Sequence, residues 1–306
     1  MQAITFESAN PRNYHQAITA PDAAPRVTLT GELRMPEGAS PRAAVIIAPG
    51  SFGIAPSHRR HAETLCALGF ATLMIDPFGP RAVTSTVANQ TQYSFAASAF
   101  DVLAAQAWLA ERADIDAMRI GAQGHSRGGT AVLTAAARRF AESVAPSLAP
   151  LRGVYAAYPW SGHQFIDADV GATQVRSIIG DRDEWCSAQQ VQGHMQALCM
   201  RGGSASWRIV AGAQHSFDRD TAHETIEDAS VSPGAPTAYM DDDGAFVHPV
   251  SGVADAGLMD RDLMVYALKA GYGRRGAIIG GTGEEAALFD ADMSAFWQRV
   301  LTEVLT

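Results

Sequence analysis

A serine between two glycines stands at the junction of a predicted strand and a predicted helix. The motif Gly124-His125-Ser126-Arg127-Gly128 follows a strand-like run at 119–123 and precedes an Ala-rich helical pattern at 130–140. In so tight a turn, a side chain two residues before or after the serine would collide with the neighbouring strand or helix. The serine hydroxyl is then exposed at the helix N-terminus, where partial positive charge stabilises a developing anion. The motif therefore predicts a nucleophile elbow, and the alternative is a Gly-rich turn with a capping serine.

Two later residues could supply the partners that such a serine needs. A serine hydroxyl becomes a nucleophile when a base lies within hydrogen-bond distance and an acid orients that base. In elbow-type hydrolases the partners follow in the order Ser, Asp or Glu, then His, each on a loop after a strand. Asp183 follows a predicted strand at 174–179, and His215 follows one at 206–210. Because the serine also follows a strand, all three are predicted to meet at the carboxyl edge of one sheet.

Other residues near these positions offer alternatives. Asp181 lies two residues before the predicted acid, after the same strand. His223 and His248 compete with His215, and its position just after a predicted strand favours His215. His125 adjoins the serine, but its side chain is predicted to point away from the nucleophile and to pack inside the protein.

The elements that must position these residues alternate between strands and helices. This order predicts an α/β fold, with a mostly parallel central sheet and helices on both faces. The predicted strands are 3–7, 26–35, 43–48, 70–75, 119–123, 151–157, 174–179 and 206–210. Besides the helix after the serine, the predicted helices are 58–68, 92–112, 188–200 and 290–305. Residues 10–25 are predicted to form a loop, residues 218–259 are predicted to be irregular, and no linker divides the chain, so one domain over 1–306 is expected.

The composition is that of a globular protein, and its charge disfavours polyanionic partners. The chain has 306 residues, of which 47% are hydrophobic and 18% are charged. Its net charge of -9 disfavours nucleic acids and anionic membranes as partners. The sequence contains no apolar run that approaches the ~20 residues of a membrane span. The sequence does not predict the oligomeric state.

The N-terminus and the cysteines favour a cytoplasmic protein. Residues 1–8 do not combine a basic region with an apolar core, so no signal peptide is predicted. A secreted form whose leader had been removed would look the same. Cys66, Cys186 and Cys199 form neither an even-numbered disulfide framework nor a metal-binding spacing. The last two flank a predicted helix and are expected to be packed thiols.

Five segments together resemble the dienelactone hydrolase-like branch of the α/β-hydrolases. They are the turn 49–53, the loop 76–81, the elbow 124–129, the segment 180–183 and the segment 213–218. The resemblance implies the α/β-hydrolase fold, with the last predicted helix in its expected place. The enzymes that give this family its name carry cysteine at the elbow, where this chain has Ser126. That departure points away from dienelactone and toward ordinary esters.

The resemblance also implies roles for individual residues. Ser126 is then the nucleophile, His215 the general base and Asp183 the acid that orients the base. The implied oxyanion hole consists of the backbone N–H groups of Arg127 and Phe52, with Gly53 as the neighbouring alternative.

The implied function is hydrolysis of small-molecule carboxylic esters through an acyl-enzyme, without a metal or an organic cofactor. Lactone hydrolysis is one alternative, and a ligand-binding protein with little turnover is another. Because the irregular segment 218–259 follows the predicted histidine, it is expected to form a cap that borders the pocket and determines specificity.

Four further residues are predicted to contact the substrate: Gly53, Arg81, Trp160 and Trp185. Arg81 would hold a substrate carboxylate from its loop, and a structural salt bridge is the alternative.

Two other patterns are rejected as binding sites. His58 and His61 lie three residues apart on a predicted helix, but no Asp, Cys or third His is expected nearby, so no metal is predicted. Gly281-x-Gly283-x-x-Ala286 resembles a dinucleotide-binding motif. Only about 20 residues follow it, which is too few for a βαβ unit.

Overall fold

The central element of the structure is an eight-stranded sheet. The computed structural model of the protein describes residues 1–38 and 40–302. The strands of the described residues are β1 (Gln2–Ala9), β2 (Arg26–Arg34), β3 (Arg42–Ala48), β4 (Ala71–Asp76), β5 (Ile115–His125), β6 (Gly153–Ala157), β7 (His163–Phe165), β8 (Gln174–Gly180), β9 (Ala205–Val210), β10 (Glu224–Val231), β11 (Ala238–Met240), β12 (Phe246–Val247), β13 (Ala254–Asp255) and β14 (Arg274–Ile279).

Helices connect these strands and cover the sheet. They are α1 (Tyr14–Thr19), α2 (Pro56–Ala67), α3 (Phe95–Ala110), α4 (Arg127–Ala136), α5 (Arg138–Val144), α6 (Ala188–Met200), α7 (Asp260–Lys269) and α8 (Gly283–Thr302). Among the described residues, no helix combines the length and the apolar character that crossing a membrane requires.

The strand order of the large sheet is β1-β2-β4-β3-β5-β6-β8-β9. Strands β4, β3, β5, β6, β8 and β9 run parallel to their neighbours in this order, whereas β2 is antiparallel to both β1 and β4. The predicted α/β class with a mostly parallel sheet is therefore confirmed. Because the parallel strands share one carboxyl edge, the loops after β3, β5, β8 and β9 open at the same side of the molecule.

The apolar run in β3 shows why the sheet is covered on both faces. Successive side chains of a strand point to opposite faces. Val45 and Ile47 belong to a buried cluster that also contains Leu65 of α2, whereas Ile46 packs in a second cluster with Val102 of α3. A continuous apolar strand is stable only between two layers of helices, which is what the sequence pattern predicted.

Two predictions of irregular structure are wrong. Residues 10–25 contain the short helix α1, which begins where the Asn13 side chain accepts a hydrogen bond from the Gln16 N–H. The segment 218–259 contains β10–β13. The strands β11–β13 are two or three residues long, too short to produce a periodic pattern. Strand β10 pairs with β14 across a bulge, and most of its residues are not buried.

Two helix boundaries also differ from the predictions. The helix after the serine is divided at Ala137 into α4 and α5. The last helix begins at Gly283, seven residues before the predicted start at Asp290. The predicted last residues of that helix, 303–305, lie outside the described residues. The expectation of a single domain stays a prediction.

Candidate active site

Ser126 lies at a sharp turn between β5 and α4. Its backbone angles are φ +54° and ψ −115°, which side-chain-bearing residues rarely adopt. The flanking glycines permit this turn. A Cβ atom on Gly124 would lie 2.0 Å from the Gly128 carbonyl oxygen, and one on Gly128 would lie 2.2 Å from that of Ala48. The predicted steric reason for both glycines is therefore correct.

The structure brings Ser126, Asp183 and His215 together at the carboxyl edge of the sheet. The Nε2 atom of His215 lies 3.0 Å from the Ser126 hydroxyl oxygen, and its Nδ1 atom lies 2.7 Å from Asp183 Oδ2. All three side chains are almost fully buried. With Nδ1 protonated and bound to the carboxylate, Nε2 is free to accept the serine proton. The arrangement matches the geometry that nucleophilic catalysis by serine requires.

The Asp183 carboxylate is held in a fixed orientation. Its second oxygen, Oδ1, accepts hydrogen bonds from the backbone N–H groups of Trp185 and Cys186, each at 2.8 Å. The competing residue Asp181 instead accepts a bond from the Gly212 N–H at 2.7 Å on the exposed side of the loop. Asp183, and not Asp181, therefore faces the histidine.

Two backbone N–H groups beside the serine have no acceptor among the described residues. They belong to Arg127, the first residue of α4, and to Phe52 in the turn after β3. The first N–H groups of a helix always lack partners within the helix, and the positive end of its dipole adds to their field. The N–H of Gly53 donates to the Gly50 carbonyl at 2.9 Å. The geometry thus favours Phe52 over Gly53 as an oxyanion donor.

The Arg127 side chain turns away from the serine and fastens the neighbouring loop. Its guanidinium donates to the backbone carbonyls of Gln90, Tyr93 and Ser94 and to the Ser98 hydroxyl. These bonds connect the start of α4 with the start of α3.

Two of the predicted substrate-binding residues line the cavity at the serine. That cavity has a volume of about 50 Å³, and its walls include Ser126, Trp160, Trp185, Cys186 and Ser230. Gly53 does not line it. Instead, Gly53 has φ +75° and lies against the Phe78 ring, so its glycine is required by the turn.

Arg81 is not free to bind a substrate carboxylate. Its guanidinium forms two hydrogen bonds with the Asp101 carboxylate, at 2.7 and 2.8 Å, and both side chains are buried. Further bonds run to the carbonyls of Ala9 and Pro77 and to the Asn10 side chain. The structure thus places Arg81 in the structural salt bridge that the sequence analysis gave as its alternative role. The salt bridge joins the loop after β4 to α3.

A buried polar cluster behind the serine was missed by the sequence analysis. His125 Nδ1 lies 2.9 Å from the Tyr158 hydroxyl, which donates to Asp218 Oδ1 at 2.7 Å. His125 was expected to pack inside the protein, and the His61 ring stacks on the His125 ring there. Burial lowers the pKa of His125 and of His58 well below the usual range, so both are neutral near pH 7.

The reason given against a metal site near His61 is also wrong. His125 and Asp218 lie beside it, and one ligand atom from each of the three residues falls within 4.8 Å of the others. Burial alone would raise the pKa of Asp218, but His61 and the Tyr158 hydroxyl lower it below its usual value. The signal that could have found this cluster is the inward-facing position of His125 at the end of a buried strand.

The remaining candidates lie elsewhere. His223 is exposed, and His248 directly follows β12, with its Nε2 3.3 Å from the Tyr266 hydroxyl. Cys186 is buried beside the site, whereas Cys199 is exposed, so the expectation of a packed thiol holds only for Cys186.

Comparison with known proteins finds solved structures with a similar fold. None of the curated proteins matches the sequence. One is a putative dienelactone hydrolase from Klebsiella pneumoniae, with 18% identity, a TM-score of 0.50, and coverage of 71% of this chain and 89% of that chain. Another is a dienelactone hydrolase-like promiscuous phosphotriesterase from metagenomic libraries, with 16% identity, a TM-score of 0.51, and coverage of 88% of this chain and 96% of that chain. A third is the esterase Est22, with 18% identity, a TM-score of 0.51, and coverage of 71% of this chain and 74% of that chain.

The sequence profile of the dienelactone hydrolase family provides the assignment. It matches residues 29–232, which include Ser126, Asp183 and His215. Since this match covers more than half of the chain, the protein belongs to the dienelactone hydrolase family.

Proposed function

We propose that this protein is a serine hydrolase that cleaves carboxylic esters of small molecules through an acyl-enzyme. The observation that carries the proposal is the placement of His215 between Ser126 and Asp183, within 3.0 Å of the serine oxygen and 2.7 Å of the carboxylate. Membership of a hydrolase family supports it. A cytoplasmic location is part of the proposal and rests on the sequence alone.

The first half of the reaction forms the acyl-enzyme. His215 Nε2 accepts the Ser126 proton while the serine oxygen attacks the ester carbonyl carbon. The carbonyl oxygen becomes an oxyanion, and the N–H groups of Arg127 and Phe52 stabilise it. When the tetrahedral intermediate collapses, the imidazolium of His215 returns its proton to the alcohol oxygen, and the alcohol leaves.

The second half releases the acid by the same steps. His215 accepts a proton from a water molecule, whose oxygen attacks the acyl carbon. Collapse of the second tetrahedral intermediate breaks the bond to Ser126, and His215 returns the proton to the serine oxygen. Asp183 keeps the imidazole oriented and stabilises its charged form throughout.

The proposal is tested with p-nitrophenyl acetate and a fluorophosphonate. We expect a burst of p-nitrophenol, and we expect mass spectrometry to locate one phosphonyl group on Ser126. The Ser126→Ala variant, with its fold checked by circular dichroism, should lose the burst and about 10³-fold or more of the turnover rate. Labelling of another residue, or full activity of this variant, would overturn the proposal.

Lactones are the second candidate substrate class because the family is named for a lactone hydrolase. The same attack opens a lactone, except that the alcohol stays attached to the product. A comparison of γ-butyrolactone and δ-valerolactone with ethyl butyrate at equal concentration distinguishes the two classes. A ligand-binding protein without turnover would show neither labelling nor hydrolysis.

A further inference from the structure

A second, much larger cavity adjoins the one at Ser126. Its volume is about 560 Å³, within the range of roughly 300–1,000 Å³ that is typical of small-molecule sites. The two cavities share four wall residues, namely Phe95, Trp160, Ser232 and Met264. A molecule held at the serine therefore has room to extend into the larger cavity.

The walls of the larger cavity come mostly from a segment beyond the family match, which ends at residue 232. Residues 235–239, 247–250 and 263–272 contribute most of them. The side chains in these walls are largely apolar or aromatic, among them Tyr239, Val247, Leu263, Tyr266 and Tyr272. The cavity is thus built by this chain's own cap segment, which extends past the predicted boundary at residue 259 through α7.

One corner of this apolar cavity is polar. His163 of β7 and Asp260 at the start of α7 both line it, and each is only 6% exposed. Asp260 Oδ2 accepts a hydrogen bond from the Phe95 N–H at 2.8 Å. Its other oxygen, Oδ1, lies 3.7 Å from His163 Nδ1, and neither of these atoms has a hydrogen-bond partner among the described residues.

Two unpartnered polar atoms at an apolar cavity favour a specific kind of ligand group. Burial lowers the pKa of His163 to about 3 and raises that of Asp260 to about 6. Near pH 7 the pair is therefore a neutral imidazole beside a carboxylate. A hydroxyl group can donate to Asp260 Oδ1 and, at the same time, accept from the Nδ1–H of a neutral His163 ring. An ammonium group can only donate, and an ether oxygen can only accept.

We propose that the larger cavity binds the bulkier part of the ester, an aromatic group that carries a hydroxyl, with that hydroxyl placed between Asp260 and His163. This inference rests on the proposed ester hydrolysis and names its substrate class. The aromatic ring packs against the apolar walls. Leaving a buried polar atom unpaired costs about 1–3 kcal/mol, so the cavity discriminates against rings that lack the hydroxyl.

The first experiment measures size and shape. The substrates are p-nitrophenyl esters of acetic, 3-phenylpropionic and 3-(4-hydroxyphenyl)propionic acid, together with acetate esters of the corresponding aryl alcohols. Ala267, which lines the cavity on α7, is replaced in Ala267→Phe. We expect the ratio of kcat/KM for the esters that carry a phenylpropyl or phenylpropionyl group to kcat/KM for p-nitrophenyl acetate to fall about 10-fold or more. Val265→Phe is the matched control, because Val265 is exposed on the same helix and does not line the cavity.

The second experiment measures recognition of the hydroxyl. The wild-type protein is expected to prefer the 4-hydroxyphenyl substrate over its unsubstituted and 4-methoxy analogues by about 10-fold or more in kcat/KM. In Asp260→Asn the amide oxygen can keep the bond to the Phe95 N–H, while the amide nitrogen now meets the ligand hydroxyl. We expect this preference to disappear in the variant.

The outcomes separate this inference from the proposed function. If the esters with the larger aromatic groups and p-nitrophenyl acetate are cleaved with equal kcat/KM and Ala267→Phe changes nothing, the cavity inference fails while ester hydrolysis stands. If no ester is cleaved and no phosphonate binds Ser126, ester hydrolysis fails. In that case, binding of the hydroxyaryl ester to Ser126→Ala, measured by the change in tryptophan fluorescence, would still support the cavity inference if Ala267→Phe weakens it.

Discussion

The indole ring of Trp185 lies parallel to the imidazole ring of His215, with centroids 5.2 Å apart and planes inclined by 16°. The indole nitrogen donates to the Ile278 carbonyl of β14 at 2.9 Å, which fixes the ring in place. Trp185 thus stacks on the histidine, lines the serine cavity and connects the loop after β8 with β14. A tryptophan face also stabilises a cation, and in the proposed mechanism His215 becomes one in the transition state.

Trp185→Leu should therefore lower kcat more than it raises KM. A cation–π contribution of about 1–2 kcal/mol corresponds to a loss of roughly 5- to 30-fold in kcat. Trp185→Phe keeps an aromatic face and should lose less. Steady-state kinetics with p-nitrophenyl acetate measures both. A change in KM alone would mean that Trp185 serves only as a wall of the cavity.

Asp183→Asn should lower kcat by about 10³- to 10⁴-fold without unfolding the protein. The amide oxygen can still accept the two N–H bonds from Trp185 and Cys186. The amide nitrogen then faces His215 Nδ1, which favours the tautomer whose Nε2 is protonated and cannot accept the serine proton.

Asp181→Asn is the matched control for this prediction, since the two acids lie in one loop and Asp181 bonds only the Gly212 N–H. Its kcat should stay within about twofold of the wild type, as is usual for surface substitutions. The opposite pattern, with Asp181→Asn inactive and Asp183→Asn active, would show that Asp181 is the acid and that the assignment to Asp183 is wrong.

Gly124→Ala should destabilise or unfold the protein. The added Cβ would lie 2.0 Å from a backbone oxygen of the elbow helix, which cannot move without breaking the turn. We expect a loss of at least about 3 kcal/mol in the free energy of unfolding. Gly193→Ala is the control, because Gly193 lies inside α6 with no atom within 4 Å of the added Cβ. It should gain about 0.5–1 kcal/mol, and urea titration measures both variants.

The elbow and its two partners could be predicted because their signals are local. Gly124 and Gly128 are demanded by backbone contacts within the motif and the adjacent strand. The positions of Asp183 and His215 follow from the rule that loops after parallel strands open at one edge. Apolar runs such as 43–48 have the period and length that identify buried strands.

The strands of the cap segment and two buried pairs could not be predicted because their causes are tertiary. Strand β10 forms only against β14, whose partner residues lie about fifty positions later in the sequence. Arg81 and Asp101 meet because α3 packs beside the loop after β4, a contact with no sequence spacing of its own. His163 lies in the short strand β7, and nothing local indicates that α7 brings Asp260 to it.

Arg81→Met should reduce stability, and should affect KM only through the fold. Removing one partner leaves the buried Asp101 carboxylate without its cation, which typically costs about 3–5 kcal/mol. Arg201→Met removes a cation from an exposed pair with Asp167, and its melting temperature should match that of the wild type. If Arg81→Met instead kept its melting temperature and raised KM for carboxylate-bearing esters, the role in substrate binding would be restored.

Asp260→Asn should become more stable relative to the wild type as the pH rises. The folded-state pKa of Asp260, about 6, lies above the ordinary value of 3.8, chiefly because the group is buried. The stability that this carboxyl contributes is therefore fully present below pH 3.8 and is lost as the pH rises through 6. The difference between the two pKa values corresponds to on the order of 3 kcal/mol.

Urea titration of both proteins at pH 4, 5, 6, 7 and 8 measures this effect, since asparagine does not titrate. The free energy of unfolding of the variant, minus that of the wild type, should increase by about 2–3 kcal/mol between pH 4 and pH 7 and then level off. His163 is present in both proteins and stays neutral over this range, because burial lowers its pKa to about 3. A difference that does not change with pH would show that Asp260 titrates as a solvated carboxyl, and that the polar corner of the cavity is open to water.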